Sequence, residues 1–553
     1  MRRHGVVTRV GGVSASLLLV VAAATACSSD KSSDSDSSES STIELQNTTA
    51  AATGEMDVLK WGVPFGEPTT LDTAKGGDNS LYLVNSNICD RVVALNPDYS
   101  LGPSLATSWT YSEDHLSLVF TLRDDVKFSN GEAMTAEDVQ YSLARHMDPT
   151  VASGYAGSVF ASVASIDVTG TNEVTVTFKT PDSLFLTAMS VAPGVVMQKS
   201  FVEAHGTETG SPSVGVMCTG PYQIENWASG SGIQLTENPY YWNTEAKPHA
   251  KEVDLQFISD ASALTQALQS GAIDGSYEVP PAAIEPLSET DGQLIYGPNQ
   301  SMLQIFPVGT GAMQDERLRQ AFSKLVDRTA IAEKVFHGAA TPLYTMVPEV
   351  LWGPDNADLY TSGLEELDVD KTADIEGAKK LIAEMDDPPT SLTMVVIAGN
   401  EQMRLTSTLL QEQAKQLGID LEIKQIQPAE NASYFIDPAA REGVDLIMNT
   451  GVSVVPDILF YPRRTATDGA LFNLAQFSDP EVDAAVAKAV ETFDSRERAE
   501  ILKEAQPLYE PARITVPLVN SYEILYLRKG LTGGIASFAY VFSPSLALIG
   551  PSE

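Results

Sequence analysis

A chain of 553 residues has room for three to four domains. Its 73 acidic and 35 basic side chains leave a net charge of −38, a field that repels phosphate backbones and excludes nucleic acid as the partner. At 43% apolar and 20% charged the composition is globular, and a single short apolar run at the N-terminus excludes a multi-span channel or permease.

The first element is a charged head, Arg2, Arg3 and Arg9, followed by an apolar stretch over 10–26 that is too short and too alanine-rich to span a bilayer. That layout predicts a secretory signal over 1–26. It ends in Ala24-Thr25-Ala26-Cys27, which resembles a bacterial lipobox with alanine in place of the usual leucine. On this reading Cys27 takes a diacylglyceryl group and becomes the first residue. The alternative is an ordinary cleaved signal that leaves a stray thiol. Residues 28–41, SSDKSSDSDSSESS, hold nine serines and cannot bury apolar surface, so 27–57 is expected to be an extended, lipid-anchored tether. The expected location is extracytoplasmic, on the outer face of the cytoplasmic membrane. Apart from Cys27 only Cys89 and Cys218 remain. In an oxidising compartment they form one bridge, or they stand as two buried thiols. No C-x-x-C pair occurs, which speaks against a thiol redox enzyme or a structural zinc site.

Globular patterning starts near Asp57. Residues 58–64 (VLKWGVP) read as a strand and 80–93 as a helix, and alternation at 117–122 (SLVFTL) and 174–178 (VTVTF) predicts two half-buried strands. Thr135 and Asp138 have capping-box spacing and open a helix running to about Arg145, with Val139 and Leu143 on one face. From Asp260 the pattern turns helical. Leu318, Phe322, Leu325, Thr329 and Phe336 predict one helix over 317–336, Ile375 to Met385 a second, and 401–417 a third, with Gly418 as its cap and a strand at 419–426. Asp479-Pro480-Glu481 starts a further helix whose stripe is Val482, Ala485, Val486, Ala489 and Phe493. Strands at 393–397 and 445–448 between these helices indicate an α/β domain.

Motifs for catalysis are missing. There is no H-E-x-x-H, no G-x-S-x-G and no Walker glycine loop, and Gly309-Thr310-Gly311 lacks the third glycine of a dinucleotide fingerprint. The six histidines, at 4, 115, 146, 205, 249 and 337, stand singly, so no metal site is expected. His115, in the turn Ser112-Glu113-Asp114-His115, is expected to be solvated. Neither catalytic residues nor cofactors are expected.

One block carries a resemblance. Residues 101–145, LGPSLATSWTYSEDHLSLVFTLRDDVKFSNGEAMTAEDVQYSLAR, closely resemble the signature of family 5 extracellular solute-binding proteins, the dipeptide, oligopeptide and nickel receptors of ABC importers. Leu105, Ala106, Ser108, Trp109, Phe120, Leu122, Arg123, Lys127, Phe128, Gly131, Thr135, Asp138 and Ser142 match it. Thr219-Gly220-Pro221-Tyr222, Asn238-Pro239-Tyr240-Tyr241-Trp242 and Leu318-Arg319-Gln320-Ala321-Phe322 match further blocks in the family order, so the resemblance covers about 57–550.

The resemblance implies an α/β, periplasmic-binding-protein-like (type II) fold with two lobes, three domains and a cleft between the lobes. Domain I would be discontinuous at 58–100, 218–305 and 516–553, domain II would be 101–217 and domain III 306–515, with hinges near 305 and 515. It implies a monomer that captures peptides or a peptide-like small solute and hands it unchanged to ABC permease subunits in the membrane. A non-peptide solute such as a nickel chelate or a sugar is the alternative, and an exported hydrolase is another. By position in the family, Asp78, Asn79, Gln304, Phe306 and Asn520 should bind ligand. At 451–462, GVSVVPDILFYP, peptide receptors of the family carry a W-x-x-D-Y-x-D-P-like run whose first aspartate pairs with the peptide ammonium group. Here Val454 or Val455 stands at that place, and Asp457 matches the later aspartate and is the ligand candidate. Arg463 and Arg464 follow; they offer pairing to an anionic group on the ligand, or they are a solvated helix start.

Overall fold

A computed structural model of the protein describes residues 43–552, except 368 and 370. The signal over 1–26, Cys27 and the serine tract lie outside the described residues. Three sheets organise the rest. A seven-stranded sheet runs in the order Gln293–Gly297, Glu523–Leu527, Gly275–Ser276, Met56–Val63, Ala250–Phe257, Gly232–Glu237, Tyr222–Ala228. A four-stranded antiparallel sheet holds Ala106–Tyr111, Ser117–Leu122, Glu173–Phe178 and Val163–Gly170 in that order. A six-stranded mixed sheet holds Ala340–Pro342, Val516–Ser521, Ser301–Pro307, Leu446–Val452, Ser391–Ile397 and Asp420–Ile426.

Local chemistry explains the elements. Alternation makes the four-stranded sheet one-sided: Leu118, Phe120 and Leu122 are buried with Val174, Val176 and Phe178, while Thr121 faces out. Helix Ala136–Ala144 starts on the capping box: the Thr135 N–H donates to Asp138 Oδ2 at 2.9 Å, and the Thr135 hydroxyl accepts from the Asp138 N–H. Its Val139 and Leu143 are buried. Helix Glu401–Lys415 is followed by Gly418 at φ 77°, where the Ile419 N–H returns to the Ala414 carbonyl.

The single helix expected over 317–336 is broken. Helix Glu316–Leu325 stops at Val326, which is extended, and Asp327 caps the next turn by accepting from the Ala330 N–H at 2.9 Å. A short helix Arg328–Ala330 and a π-turn Ile331–Val335 complete the segment. Leu318, Phe322, Leu325 and Phe336 are buried as the spacing predicts, but Thr329 is exposed. The aspartate side chain outcompetes the continuing helix for a backbone donor.

Two expected boundaries shift. Strands 301–307 and 516–521 pair with each other and lie in the six-stranded sheet, so the chain crosses between the two large sheets at 297–301 and 521–523 rather than near 305 and 515. The tether expected up to residue 57 ends earlier. Gln46 donates to the Tyr296 carbonyl, Gly533 donates to the Ala50 carbonyl, and Thr53 donates to the Pro551 carbonyl, so backbone hydrogen bonds dock a segment with no apolar period. Cys89, the C-cap of helix Asn79–Ile88, is joined to Cys218 by a disulfide, with Cα atoms 4.8 Å apart. Among the described residues no helix is long and apolar enough to cross a membrane.

Candidate functional site

The block carrying the four-stranded sheet meets the half built on the six-stranded sheet along one edge. The Ser183 N–H donates to the Val490 carbonyl at 2.9 Å. Arg463 Nη1 reaches the buried Asp182 carboxylate at 3.1 Å. The His115 ring stacks on Phe493 with centroids 3.9 Å apart, and Tyr111 meets the same ring edge-on at 4.8 Å. His115, expected in solvent, is half-buried because its stacking partner lies 378 positions downstream, beyond any local pattern. The two halves are therefore shut here.

The six residues singled out for ligand fall into separate places. Asp78 is the N-cap of helix Asn79–Ile88: Oδ1 accepts from the Leu81 N–H at 2.8 Å and Oδ2 from Thr69 Oγ1 at 3.3 Å. Asn79 Nδ2 donates to Glu278 Oε1 at 2.6 Å. Gln304 is buried and its amide donates to the Tyr461 hydroxyl. Phe306 packs against Phe435 and Phe472, with ring centroids at 5.2 and 6.3 Å. The Asp457 carboxylate accepts from Arg498 Nη2 at 2.7 Å and from the Leu459 N–H at 2.9 Å. Asn520 Nδ2 donates to the carbonyls of Asn299 and Ser301 at 2.9 and 2.8 Å, beside the crossing between the two large sheets.

Asp457 and Asn520 come together on a cavity of about 730 Å³, with Tyr99, Asn299, Trp352 and Arg498 among its walls. Phe306 instead lines a cavity of about 110 Å³ with Gly451, Tyr461, Arg464 and Phe472. A Cβ at Gly451 would overlap the Tyr461 hydroxyl and the Gln304 amide, so any larger residue there displaces those side chains. Asn79 belongs to neither wall.

Sequence reading missed a polar cluster on the inner side of helix Asn79–Ile88. The hydroxyls of Tyr82 and Tyr155 are 2.8 Å apart and buried. Glu278 accepts from Asn79 and, at 2.5 Å, from the Tyr540 hydroxyl, while its own N–H donates to Glu523 Oε1 at 2.7 Å. Tyr540 stacks on Tyr277 with centroids 3.8 Å apart. The signals were faint but present: Asp90 and Arg91 interrupt the apolar run 88–95, and Glu278 is a lone acid in the stretch 275–283. Among the described residues no three His, Cys, Asp or Glu side chains gather as a metal ion would need.

Burial dominates the electrostatics. It pushes Glu278 up to about 7 against the pull of its Tyr540 and Asn79 hydrogen bonds, and it pushes Glu523 up further, with the Glu278 charge adding to the effect. Glu510, after helix Ser495–Tyr509, is raised to about 7 by burial alone, opposed by Arg513 and the Met346 N–H. An acid raised on folding stabilises below its unfolded pKa and loses that contribution as pH rises through the folded value. Glu510→Gln keeps an acceptor for the Met346 N–H, 2.8 Å away, and removes the charge. Between pH 5 and pH 8 the variant is expected to lose about 2–3 kcal/mol less stability than the parent in urea titrations. Parallel pH profiles would contradict it.

Comparisons place this arrangement. The sequence pattern described as bacterial extracellular solute-binding proteins, family 5 middle, matches residues 100–471. The glutathione-binding protein GsiB of Salmonella typhi is 24% identical over 474 residues, which span 84% of this chain and 89% of that protein. The periplasmic binding protein DppA from Helicobacter pylori, solved in complex with peptide STSA, superposes with a TM-score of 0.78 at 18% identity over 90% of this chain and 99% of its own. The binding protein AgaA from A. tumefacien R10, solved with agropinic acid, gives 0.76 at 21% identity over 90% and 99%. Two lobes shut along one edge, sheets exchanging strands at paired crossings and a match running through most of the chain lead to one assignment: this protein belongs to family 5 of the bacterial extracellular solute-binding proteins.

Proposed function

We propose that this chain is the capture subunit of an ABC importer, holding a peptide or peptide-like small solute between its lobes and delivering it unchanged to a membrane permease. The observation that carries the reading is the length of the match, residues 100–471, which takes in the four-stranded sheet and most strands of the six-stranded one. Closure works by population shift: a solute that touches both lobes stabilises the shut state and excludes water, which strengthens every polar contact inside. The chain acts as a receptor and not as an enzyme on this reading, and as a monomer. The charged head, the apolar stretch and Ala24-Thr25-Ala26-Cys27 support export and lipidation at Cys27, which would keep the receptor at the outer face of the membrane that holds its permease. A valine in place of the ammonium-pairing aspartate, with Asp457 engaged by Arg498, argues that a free peptide N-terminus is not what selects the solute.

The test is mass spectrometry of small molecules released when protein purified without refolding is denatured. A peptide or peptide-like compound near one equivalent is the expected result. A sugar or a metal chelate in its place would redirect the solute class. Turnover of an added peptide, with fragments accumulating, would overturn the receptor reading.

A further inference from the structure

The block over 101–217 contributes no lining residue to either cavity described above, yet it forms one side of the edge where the halves shut. It is fixed to the half built on the seven-stranded sheet at two places. The Cys89–Cys218 bridge ties its base, and Arg145 grips Asp72 with two parallel bonds, at 2.7 and 3.2 Å. When the halves part, the block therefore travels with that half, and the contacts along the edge break together.

Three kinds of contact make up the edge. Val490 lies in the last turn of helix Pro480–Glu491, where a carbonyl has no partner inside the helix, and the N–H of the buried Ser183 supplies one at 2.9 Å. Arg463 gives the Asp182 carboxylate a charged donor at 3.1 Å; Asp182, 1% exposed, otherwise accepts from Ser162 Oγ at 2.9 Å and the Leu184 N–H at 3.1 Å. The Phe493 ring meets His115 face to face at 3.9 Å and Tyr111 edge-on at 4.8 Å. Arg463 sits on helix Phe460–Thr465 beside Tyr461, whose hydroxyl accepts from the Gln304 amide on a central strand of the six-stranded sheet, so the edge is continuous with that sheet. Tyr111, His115, Asp182, Ser183 and Phe493 stand off both cavity walls.

Parting the halves returns these groups to water, so the contacts stabilise the shut state whether or not a solute is inside. A solute's apparent dissociation constant is its intrinsic value divided by the fraction of molecules in the state that holds it. We propose that the block carrying the four-stranded sheet is a closure latch: its contacts with the opposite half raise the solute-free population of the shut state, and Asp182, Arg463, His115 and Phe493 set solute affinity from outside the solute site. They are positioning residues, acting on the solute only through the equilibrium between open and shut. The affinity part of the proposal rests on the receptor reading above; the latch itself does not need a solute.

Small-angle X-ray scattering of the purified chain, dialysed out of urea to strip it of solute, reads the latch directly. Affinity-selection mass spectrometry with an equimolar tripeptide mixture reads its effect on capture. The parent's solute-free curve should fit the shut form. Phe493→Ala and Arg463→Met should each enlarge the solute-free radius of gyration and weaken tripeptide retention about 3- to 10-fold. His115→Phe keeps a ring against Phe493 and should keep the parent's radius and retention. A parent curve dominated by an open form would overturn the latch whether or not any variant folds. An unchanged radius in both Phe493→Ala and Arg463→Met would overturn it as well, whatever happens to the urea midpoint or to retention. An enlarged radius in both, with no tripeptide retained by any form, would support the latch and overturn the peptide reading.

Discussion

Replacing Cys89 and Cys218 together by alanine is expected to lower the free energy of unfolding by about 5 kcal/mol, read as a fall in the urea midpoint. The two cysteines are 129 positions apart, so the bridge closes a long loop in the unfolded chain, and closing it removes configurational entropy that grows with the logarithm of loop length. That loop contains the whole four-stranded sheet and helix Ala136–Ala144. Its two ends are also joined by hydrogen bonds, Gly220 N–H to the Ile88 carbonyl at 3.0 Å and Thr219 Oγ1 to Asp90 Oδ2 at 2.8 Å. Cys89 ends helix Asn79–Ile88 with its N–H on the Asn85 carbonyl, and the Cys218 carbonyl accepts from the Ser129 N–H at 2.9 Å. Both sulfurs are buried, so little of the loss comes from solvent-facing groups. Alkylation without reductant, mapped by peptide mass, should modify neither Cys89 nor Cys218. Labelling of both, with an unchanged midpoint in the double variant, would sink the expectation.

What could be read in advance follows the range of the interactions. Short-period signals survived: alternation found strands Ser117–Leu122 and Glu173–Phe178, and Thr135 with Asp138 found a helix start, because these elements are set by neighbours a few positions away. The break at Val326 was missed because apolar spacing continues across it while Asp327 quietly takes the donor. The site was harder. Its polar groups come from 82, 155, 278 and 540, and none has a local spacing that announces it. Asp78 and Asp457 were singled out by their position in the family, yet their carboxylates are engaged by a helix start and by Arg498. Arg464 was legible as a candidate for an anion, and its separation from Arg463, which is paired, needed the fold.

Arg145→Met is expected to destabilise the protein by about 3 kcal/mol, because it takes the two-bond partner from a carboxylate that water cannot reach and leaves it, among the described residues, only the Lys75 cation 3.6 Å away. Asp72 is 0% exposed, and Arg145 grips it with two parallel bonds, Nη2 to Oδ2 at 2.7 Å and Nη1 to Oδ1 at 3.2 Å. Asp72 follows strand Met56–Val63 of the seven-stranded sheet, whereas Arg145 ends helix Ala136–Ala144 against the four-stranded sheet, so the pair ties one layer to the other. The cation has a local cost as well: burial and the Arg145 charge together hold His146 down to about 4, neutral beside the Ser153 hydroxyl at 2.6 Å. Removing the arginine alone gives up the attraction and keeps the desolvation of the acid. Removing both charges gives up each in turn, so Asp72→Asn combined with Arg145→Met should recover about half or more of the loss, since Asn retains an acceptor for the Ala74 N–H, 3.2 Å away. The reading to make is the coupling energy from a double-mutant cycle of urea midpoints. Strictly additive losses would mean that the pair is incidental and that packing around the methylenes of Arg145 is what joins the two layers.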